Sequence, residues 1–129
     1  MENHPTPEQI LALAVKTAND KKARDITAMR VYEQTTLADY FVVMTGTSST
    51  HIRALCDEIE FKLKNELGVY AHHIEGVTSN WILMDYTSVA INIFLSEARE
   101  LYALERLWSD SQNVDLSEYL EKEEKKDEV

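Results

Sequence analysis

The chain has 129 residues, of which 44% are hydrophobic and 28% are charged. This length is typical of one domain, and the composition excludes a collagen-like, disulfide-stapled or wholly disordered protein. The single cysteine, Cys56, cannot form an intrachain disulfide. The first residues lack the features of a secretory signal, and no stretch approaches the roughly 20 apolar residues of a membrane span. We therefore expect a cytoplasmic protein without a membrane anchor.

Acidic residues dominate the charge. The chain carries 13 basic and 23 acidic residues, a formal net charge of −10. This charge repels phosphate backbones, so it argues against sequence-independent binding of nucleic acid and favours a basic protein partner. Eight acidic residues and only three lysines lie in 110–129, so half of the negative excess belongs to the end of the chain.

The first half of the chain contains clear helix and strand signals. Thr6, Pro7 and Gln9 provide a capping hydroxyl, a proline at the first helical position and a glutamine at the third. A later β-rich apolar run stopped by Gly46 is typical of a central strand covered on both faces. The predicted elements are a helix over 7–19, strands over 25–31 and 40–45, and an amphipathic helix that Ser48 or Ser49 caps and Gly68 closes.

The second half predicts three more strands and a last helix. The strands cover 70–75, 81–85 and 89–95, and a short turn near 86–88 makes the last two an antiparallel hairpin. Ser96 is the expected cap of the final helix, whose apolar side is formed by Leu101, Leu104, Leu107 and Trp108. The order α-β-β-α-β-β-β-α predicts an α/β protein with a mixed sheet of about five strands flanked by helices.

Candidate catalytic and metal-binding residues do not converge in this pattern. His72 and His73 are adjacent and point to opposite faces of a strand, and Cys56 lies on the apolar side of its helix. Asp25 and Asp85 stand alone on their strands, whereas two-metal chemistry needs paired carboxylates. We therefore expect no enzyme activity, no metal and no cofactor.

The turn Gly46–Ser49 is a candidate phosphate site, because backbone amides at a helix N-terminus favour an anion. The turn has one glycine and lacks the lysine of a P-loop, and every serine-capped helix that follows a strand has this pattern. A simple helix cap is the favoured interpretation, and phosphate binding stays as the alternative.

The predicted strand over 81–85 carries bulky side chains on both faces. Trp81, Leu83 and Asp85 share one face. The other face carries Ile82, Met84 and Tyr86. Two interpretations remain open: the strand is buried on both sides, or the Trp81 face is an apolar patch bordered by acid, as in a protein interface.

Four segments together resemble the ribosomal silencing factor family, also called Iojap-like. They are 38–43 (ADYFVV), 45–49 (TGTSS), 81–86 (WILMDY) and 94–108 (FLSEARELYALERLW). The resemblance covers about residues 8–116 in order and spacing. It implies a family domain over residues 1–116, and residues 117–129 are then expected to form an acidic, disordered tail.

The resemblance also implies a fold and a function. The fold is similar to that of nucleotidyltransferases without their catalytic acids. The function is binding to the fourteenth protein of the large ribosomal subunit, which blocks subunit joining and represses translation when nutrients are scarce. Direct sequence-specific binding of nucleic acid and membrane association are not expected. Whether the free protein forms a homodimer stays open.

The partner-binding residues that the resemblance implies lie on the Trp81 face and at the start of the last helix. They are Trp81, Leu83, Asp85, Glu97, Arg99 and Tyr102. Met84 and Thr87-Ser88 depart from the leucine and the glycine-acid turn that are frequent in the family. The alternative function is nucleotide or phosphate binding through Gly46–Ser49.

Overall fold

The structure is a computed structural model that describes residues 4–31, 38–102 and 112–120. Its helices are α1 (Pro7–Asp20), α2 (Ser49–Leu67) and α3 (Ser96–Tyr102). Its strands are β1 (Arg24–Arg30), β2 (Tyr40–Gly46), β3 (His73–Glu75), β4 (Trp81–Asp85), β5 (Val89–Leu95) and β6 (Gln112–Asn113). A further helical turn covers 117–120.

The starts of α1 and α2 follow the predicted caps. In the capping box of α1, Gln9 N–H donates to Thr6 Oγ1 at 3.1 Å and Thr6 N–H donates to Gln9 Oε1 at 2.8 Å. Ser48 caps α2, because its Oγ accepts from the N–H of His51 at 3.1 Å. Gly68 ends α2 with φ +67°, a left-handed conformation that favours glycine.

The described strands form one mixed sheet in the order β3-β4-β5-β2-β1-β6. The parallel pair is β2 and β5, and the other neighbouring strands run antiparallel. The prediction of a central, doubly covered strand is confirmed by β2, in which Val42, Val43 and Met44 are fully buried. The predicted hairpin is confirmed by the antiparallel pairing of β4 and β5.

Two details of the sheet differ from the prediction. The third strand is only three residues long, and the described residues contain six strands instead of about five. The additional strand, β6, pairs with the end of β1 through Asn113↔Met29 and Gln112↔Arg30. Two polar residues carry no apolar periodicity, so only the tertiary pairing defines this strand.

Each face of the sheet contributes to a separate core. The larger core joins one face to α1 and α2, and it contains Cys56. The smaller core lies on the other face and joins Val43 and Phe94 to Ala98 of α3. Within α3 the buried residue is Ala98, whereas Leu101 is 78% exposed and does not form the expected apolar lining. The other expected lining positions, 104, 107 and 108, lie outside the described residues.

The helical turn at 117–120 belongs to the larger core. Leu116 is buried, and Tyr119 and Leu120 are partly buried side chains that pack against this core. The packed region thus continues past residue 116. The expected disordered tail covers 117–129, and residues 117–120 differ from that expectation because Tyr119 and Leu120 pack against the larger core. Residues 121–129 lie outside the described residues.

Candidate partner-binding surface

The outer face of β4 is only partly covered. Ile82 and Met84 on its inner face are fully buried, whereas Trp81, Leu83 and Asp85 on the outer face are each partly exposed. Of the two interpretations left open by the sequence, a strand buried on both sides does not fit this pattern. The exposed area on the outer face is therefore available to a partner.

Trp81 is held firmly on this face. Its ring stacks on Phe94 with 5.1 Å between ring centroids and an angle of 26°. Its Nε1–H donates a hydrogen bond of 2.9 Å to Oδ1 of Asn92, a side chain that is buried on β5. The Asn92 amide also donates to the carbonyl of Val42 at 3.3 Å. The indole orientation is thus fixed by its contacts with the sheet.

A shallow pocket of about 310 Å³ lies beside Trp81. It is lined by Ser79, Asn80, Trp81, Glu97, Ala98 and Leu101. Glu97 and Leu101 come from α3, which starts directly after β5. The structure therefore brings Trp81 and Glu97 together, as expected, and adds Leu101 to them.

The short edge strand β3 contributes two residues that sequence reasoning missed. His73 pairs with Asp85, and Glu75 pairs with Leu83, so both lie on the outer face. The His73 imidazole approaches Glu75 Oε2 at 2.7 Å through Nε2 and Asp85 Oδ2 at 3.8 Å through Nδ1. We call the combined surface the outer patch. Its residues are His73, Glu75, Trp81, Leu83, Asp85, Glu97 and Leu101.

Asp85 also has a local structural role. Its Oδ1 accepts a hydrogen bond of 2.8 Å from the N–H of Thr87, a turn residue with φ +69°. This bond supports the left-handed turn between β4 and β5. A change at Asp85 therefore affects the hairpin as well as the charge of the outer patch.

Arg99 points away from the outer patch. Its guanidinium donates to the Asp25 carbonyl at 2.6 Å, to Thr45 Oγ1 at 2.8 Å and to Thr27 Oγ1 at 3.5 Å. These acceptors belong to β1 and β2, so the hydrogen bonds of Arg99 connect α3 to the sheet. Tyr102 is the last residue of α3, and its side chain lies outside the described residues.

The turn at Gly46–Ser49 is accounted for by packing and capping. A Cβ on Gly46 would lie 2.5 Å from Ile52 Cγ2, so the close approach of α2 to β2 requires glycine here. The N–H of Thr47 donates to His51 Nδ1 at 2.9 Å, and Ser48 Oγ accepts the N–H of His51. These two backbone amides are engaged internally, which weakens the phosphate-cradle interpretation.

Next to this turn lies a cleft of about 610 Å³ that sequence reasoning also missed. It is lined by Asn19, Lys21, Lys22, Ala23, Arg24, Thr47 and His51. We call it the basic cleft. The sequence separates its two halves by more than twenty residues, so local patterns do not reveal it.

Cys56 is buried, which confirms its expected place in the core. Burial, followed by the nearby carboxylates of Asp57 and Glu60, raises the pKa of its thiol to about 12. The thiolate is the nucleophilic form, so this side chain is inert at neutral pH.

Among the described residues, no group of three histidine, cysteine or acidic side chains is placed to hold a metal ion. None of the helices in the described ranges is long and apolar enough to cross a membrane.

Comparison with known proteins gives a consistent result. Residues 4–129 match the family model described as "Ribosomal silencing factor during starvation". The chain is 33% identical over 110 residues to a Bacillus subtilis protein named ribosomal silencing factor RsfS, a match that covers 84% of this chain and 92% of the relative. It is 34% identical to the mouse protein "Mitochondrial assembly of ribosomal large subunit protein 1", with 75% of this chain and 44% of the relative covered.

A solved structure with a similar sequence has a similar fold. A crystal structure of a Chromobacterium violaceum protein superposes with a TM-score of 0.78 at 30% sequence identity and covers 81% of this chain and 88% of its own. The similarity thus extends from sequence to fold.

Proposed function

Because the chain belongs to the ribosomal silencing factor family, we propose that it binds the large ribosomal subunit and blocks association with the small subunit. Its contact is the fourteenth protein of the large subunit, on the face that meets the small subunit. Binding there represses translation when nutrients are scarce. The protein is a steric inhibitor that acts in the cytoplasm, and not an enzyme.

The observation that carries this proposal is the composition of the outer patch. Trp81, Leu83 and the highly exposed Leu101 provide apolar contact area next to a shallow pocket. Carboxylates border this area on β3, β4 and α3. An aromatic anchor with a charged rim is typical of a specific protein interface, and an acidic rim complements a basic ribosomal protein.

The fixed position of Trp81 supports the same conclusion. Immobilising a free side chain on binding costs roughly 0.5 to 1.5 kcal/mol. The Phe94 stack and the Asn92 hydrogen bond already restrict the indole in the free protein, so little of that cost remains. The patch is therefore organised for binding before the partner arrives.

The direct test is sedimentation of the protein with purified large and small subunits, followed by a subunit-joining assay. We expect the protein to sediment with large subunits only and to reduce the formation of whole ribosomes when it is added before mixing. Equal sedimentation with both subunits, or normal joining at saturating protein, would contradict the proposal.

A pair of variants assigns the binding to the outer patch. Leu101→Ala removes an exposed apolar side chain at the pocket and should weaken large-subunit binding at least about fivefold, because a residue that carries binding energy at the centre of an interface costs about 1 kcal/mol or more when truncated. The matched control is Phe61→Ala, which removes a 59% exposed side chain from α2 outside the patch. Equal binding by the two variants would remove Leu101 from the residues that carry the binding energy.

A further inference from the structure

The basic cleft is an exception in this acidic protein. Among the described residues that line it, Lys21, Lys22 and Arg24 are cationic, and none carries a carboxylate. Asp20 and Asp25 are close in sequence but are not among the lining residues. The net charge of the whole chain is −10, so a concentration of positive charge here stands out from its surroundings.

His51 joins the two halves of the cleft. Its Nδ1 accepts the N–H of Thr47 at 2.9 Å, which leaves Nε2–H to donate to the carbonyl of Lys21, also at 2.9 Å. The loop after α1 is thereby attached to the start of α2. Since the amides of Thr47 and His51 are engaged, the cleft's recognition of an anion is assigned to the side chains of Lys21 and Arg24. Such a set suits a chain of phosphates.

The basic cleft and the outer patch border the same end of the sheet. Arg24 pairs with Thr45, Thr45 with Phe94, and Phe94 with Trp81. Neighbouring strands lie about 4.8 Å apart, so three steps place Arg24 about 14 Å from Trp81 across the sheet. The cleft is lined mainly by segments at the end of α1 and the start of α2, helices that pack on one face, whereas the outer patch lies on the face that packs on α3, so the two surfaces flank the same end of the sheet.

We propose that the basic cleft contacts the phosphate backbone of ribosomal RNA while the outer patch holds the ribosomal protein, an inference that rests on the proposed function. A large subunit is mostly RNA, and a chain with this negative charge is repelled by it. Cations placed next to the interface offset that repulsion locally and add contacts that depend on salt but not on base sequence. The expectation of no nucleic-acid contact, drawn from the overall charge, overlooks this local surface.

The first test compares two double variants of the full chain. Lys21→Gln with Arg24→Gln removes two cations from the cleft, and the control, Lys62→Gln with Lys64→Gln, removes two from the far end of α2. Each phosphate contact contributes about 0.7 to 0.9 to the slope of log affinity against log salt. We expect the cleft variant to bind large subunits about tenfold more weakly at low salt and to lower this slope by about 1 to 2. The control should match the parent, and melting temperatures of the same samples verify folding.

The second test identifies the contacted molecule. An iron chelate that generates hydroxyl radicals is attached to Asn19→Cys in the cleft, or to Asn65→Cys near the end of α2 as the control. The native Cys56 is buried and should not take the label. On bound large subunits, we expect strand cleavage of ribosomal RNA from the first position and none from the second.

The outcomes separate this inference from the proposed function. If the parent does not sediment with large subunits, the proposed function fails, and the inference fails with it. If the parent binds but the two double variants behave alike, only the cleft contact is refuted. A selective loss of binding without RNA cleavage from position 19 would assign the cleft to an acidic protein and overturn the RNA contact.

Discussion

Trp81 and Asn92 form a hydrogen bond across adjacent strands, in which the indole Nε1–H donates to Oδ1 at 2.9 Å. Asn92 is 1% exposed, so its side-chain oxygen has little access to water. A residue of the outer patch is thereby linked to a buried polar group on β5. Trp81 has a structural role in addition to the proposed binding role.

Because of this hydrogen bond, substitutions of Trp81 are expected to lower the stability of the fold as well as the affinity for the partner. Trp81→Phe keeps a ring that can stack on Phe94 but removes the N–H, which leaves a buried oxygen without that donor and should cost about 1 to 3 kcal/mol of unfolding free energy. Trp81→Ala also loses the stack and should be less stable than Trp81→Phe. Chemical denaturation measures both values. If both variants unfold at the same denaturant concentration as the parent, the hydrogen bond contributes nothing to stability.

Binding of the same two samples is measured under conditions where both remain folded. Trp81→Ala should weaken large-subunit binding by about thirtyfold, which corresponds to the roughly 2 kcal/mol of an interface anchor. Trp81→Phe should retain more affinity because most of the aromatic contact area remains. A folded Trp81→Ala protein that binds like the parent would remove Trp81 from the interface.

Arg99 leads to a second prediction. Because its guanidinium bonds to Asp25, Thr45 and Thr27 on two strands, Arg99→Ala should destabilise the fold by about 1 to 3 kcal/mol and loosen α3. Glu97→Gln, two residues earlier, should leave stability unchanged and reduce the association rate mainly at low salt. Denaturation and association kinetics on both variants test this contrast. A stable Arg99→Ala protein with impaired binding would instead identify Arg99 as a direct contact.

The sequence predicted the features that depend on local patterns and missed those that depend on residues far apart in the chain. The capping box of α1, the cap and end of α2 and the alternation of β4 are local patterns, and they predicted those elements well. The acceptors of Arg99 lie 54 to 74 positions away, so no local pattern indicates that it faces β1 and β2. The same holds for His73 and Glu75, whose place beside β4 depends on strand register. Long-range pairing, not residue type, completes the site.

A third prediction concerns acid stability. Tyr40 Oη donates to Glu8 Oε2 at 2.7 Å, and this hydrogen bond is the main cause of a lowered Glu8 pKa. A carboxyl whose pKa is lower in the folded than in the unfolded state stabilises the protein at every pH above the unfolded-state pKa. This stabilisation is lost as the pH falls through the folded-state pKa. Tyr40→Phe should therefore be less stable than the parent near pH 7, and the difference should shrink toward about pH 3. Thermal unfolding across this range checks it, and a difference that grows on acidification would contradict it.

The end of the chain gives the last prediction, which compares two truncations. Deletion after residue 120 removes five acidic residues and no side chain that the structure places in a core, so stability and large-subunit binding should stay close to those of the parent. Deletion after residue 116 also removes Tyr119 and Leu120, which pack against the larger core. It should cost about 1 to 3 kcal/mol and lower the melting temperature by several degrees.

Replacement of both side chains by alanine in the full chain, Tyr119→Ala with Leu120→Ala, should reproduce the effect of the longer deletion, because the lost burial is the same. Equal melting temperatures for the two truncations would show that the turn at 117–120 adds no stability. A loss of binding greater than about tenfold on deletion after residue 120, with the fold intact, would correspond to more than about 1.4 kcal/mol and would make the acidic tail part of the interface. Such a loss should diminish at high salt, because contacts between an exposed acidic tail and a basic partner are screened by ions.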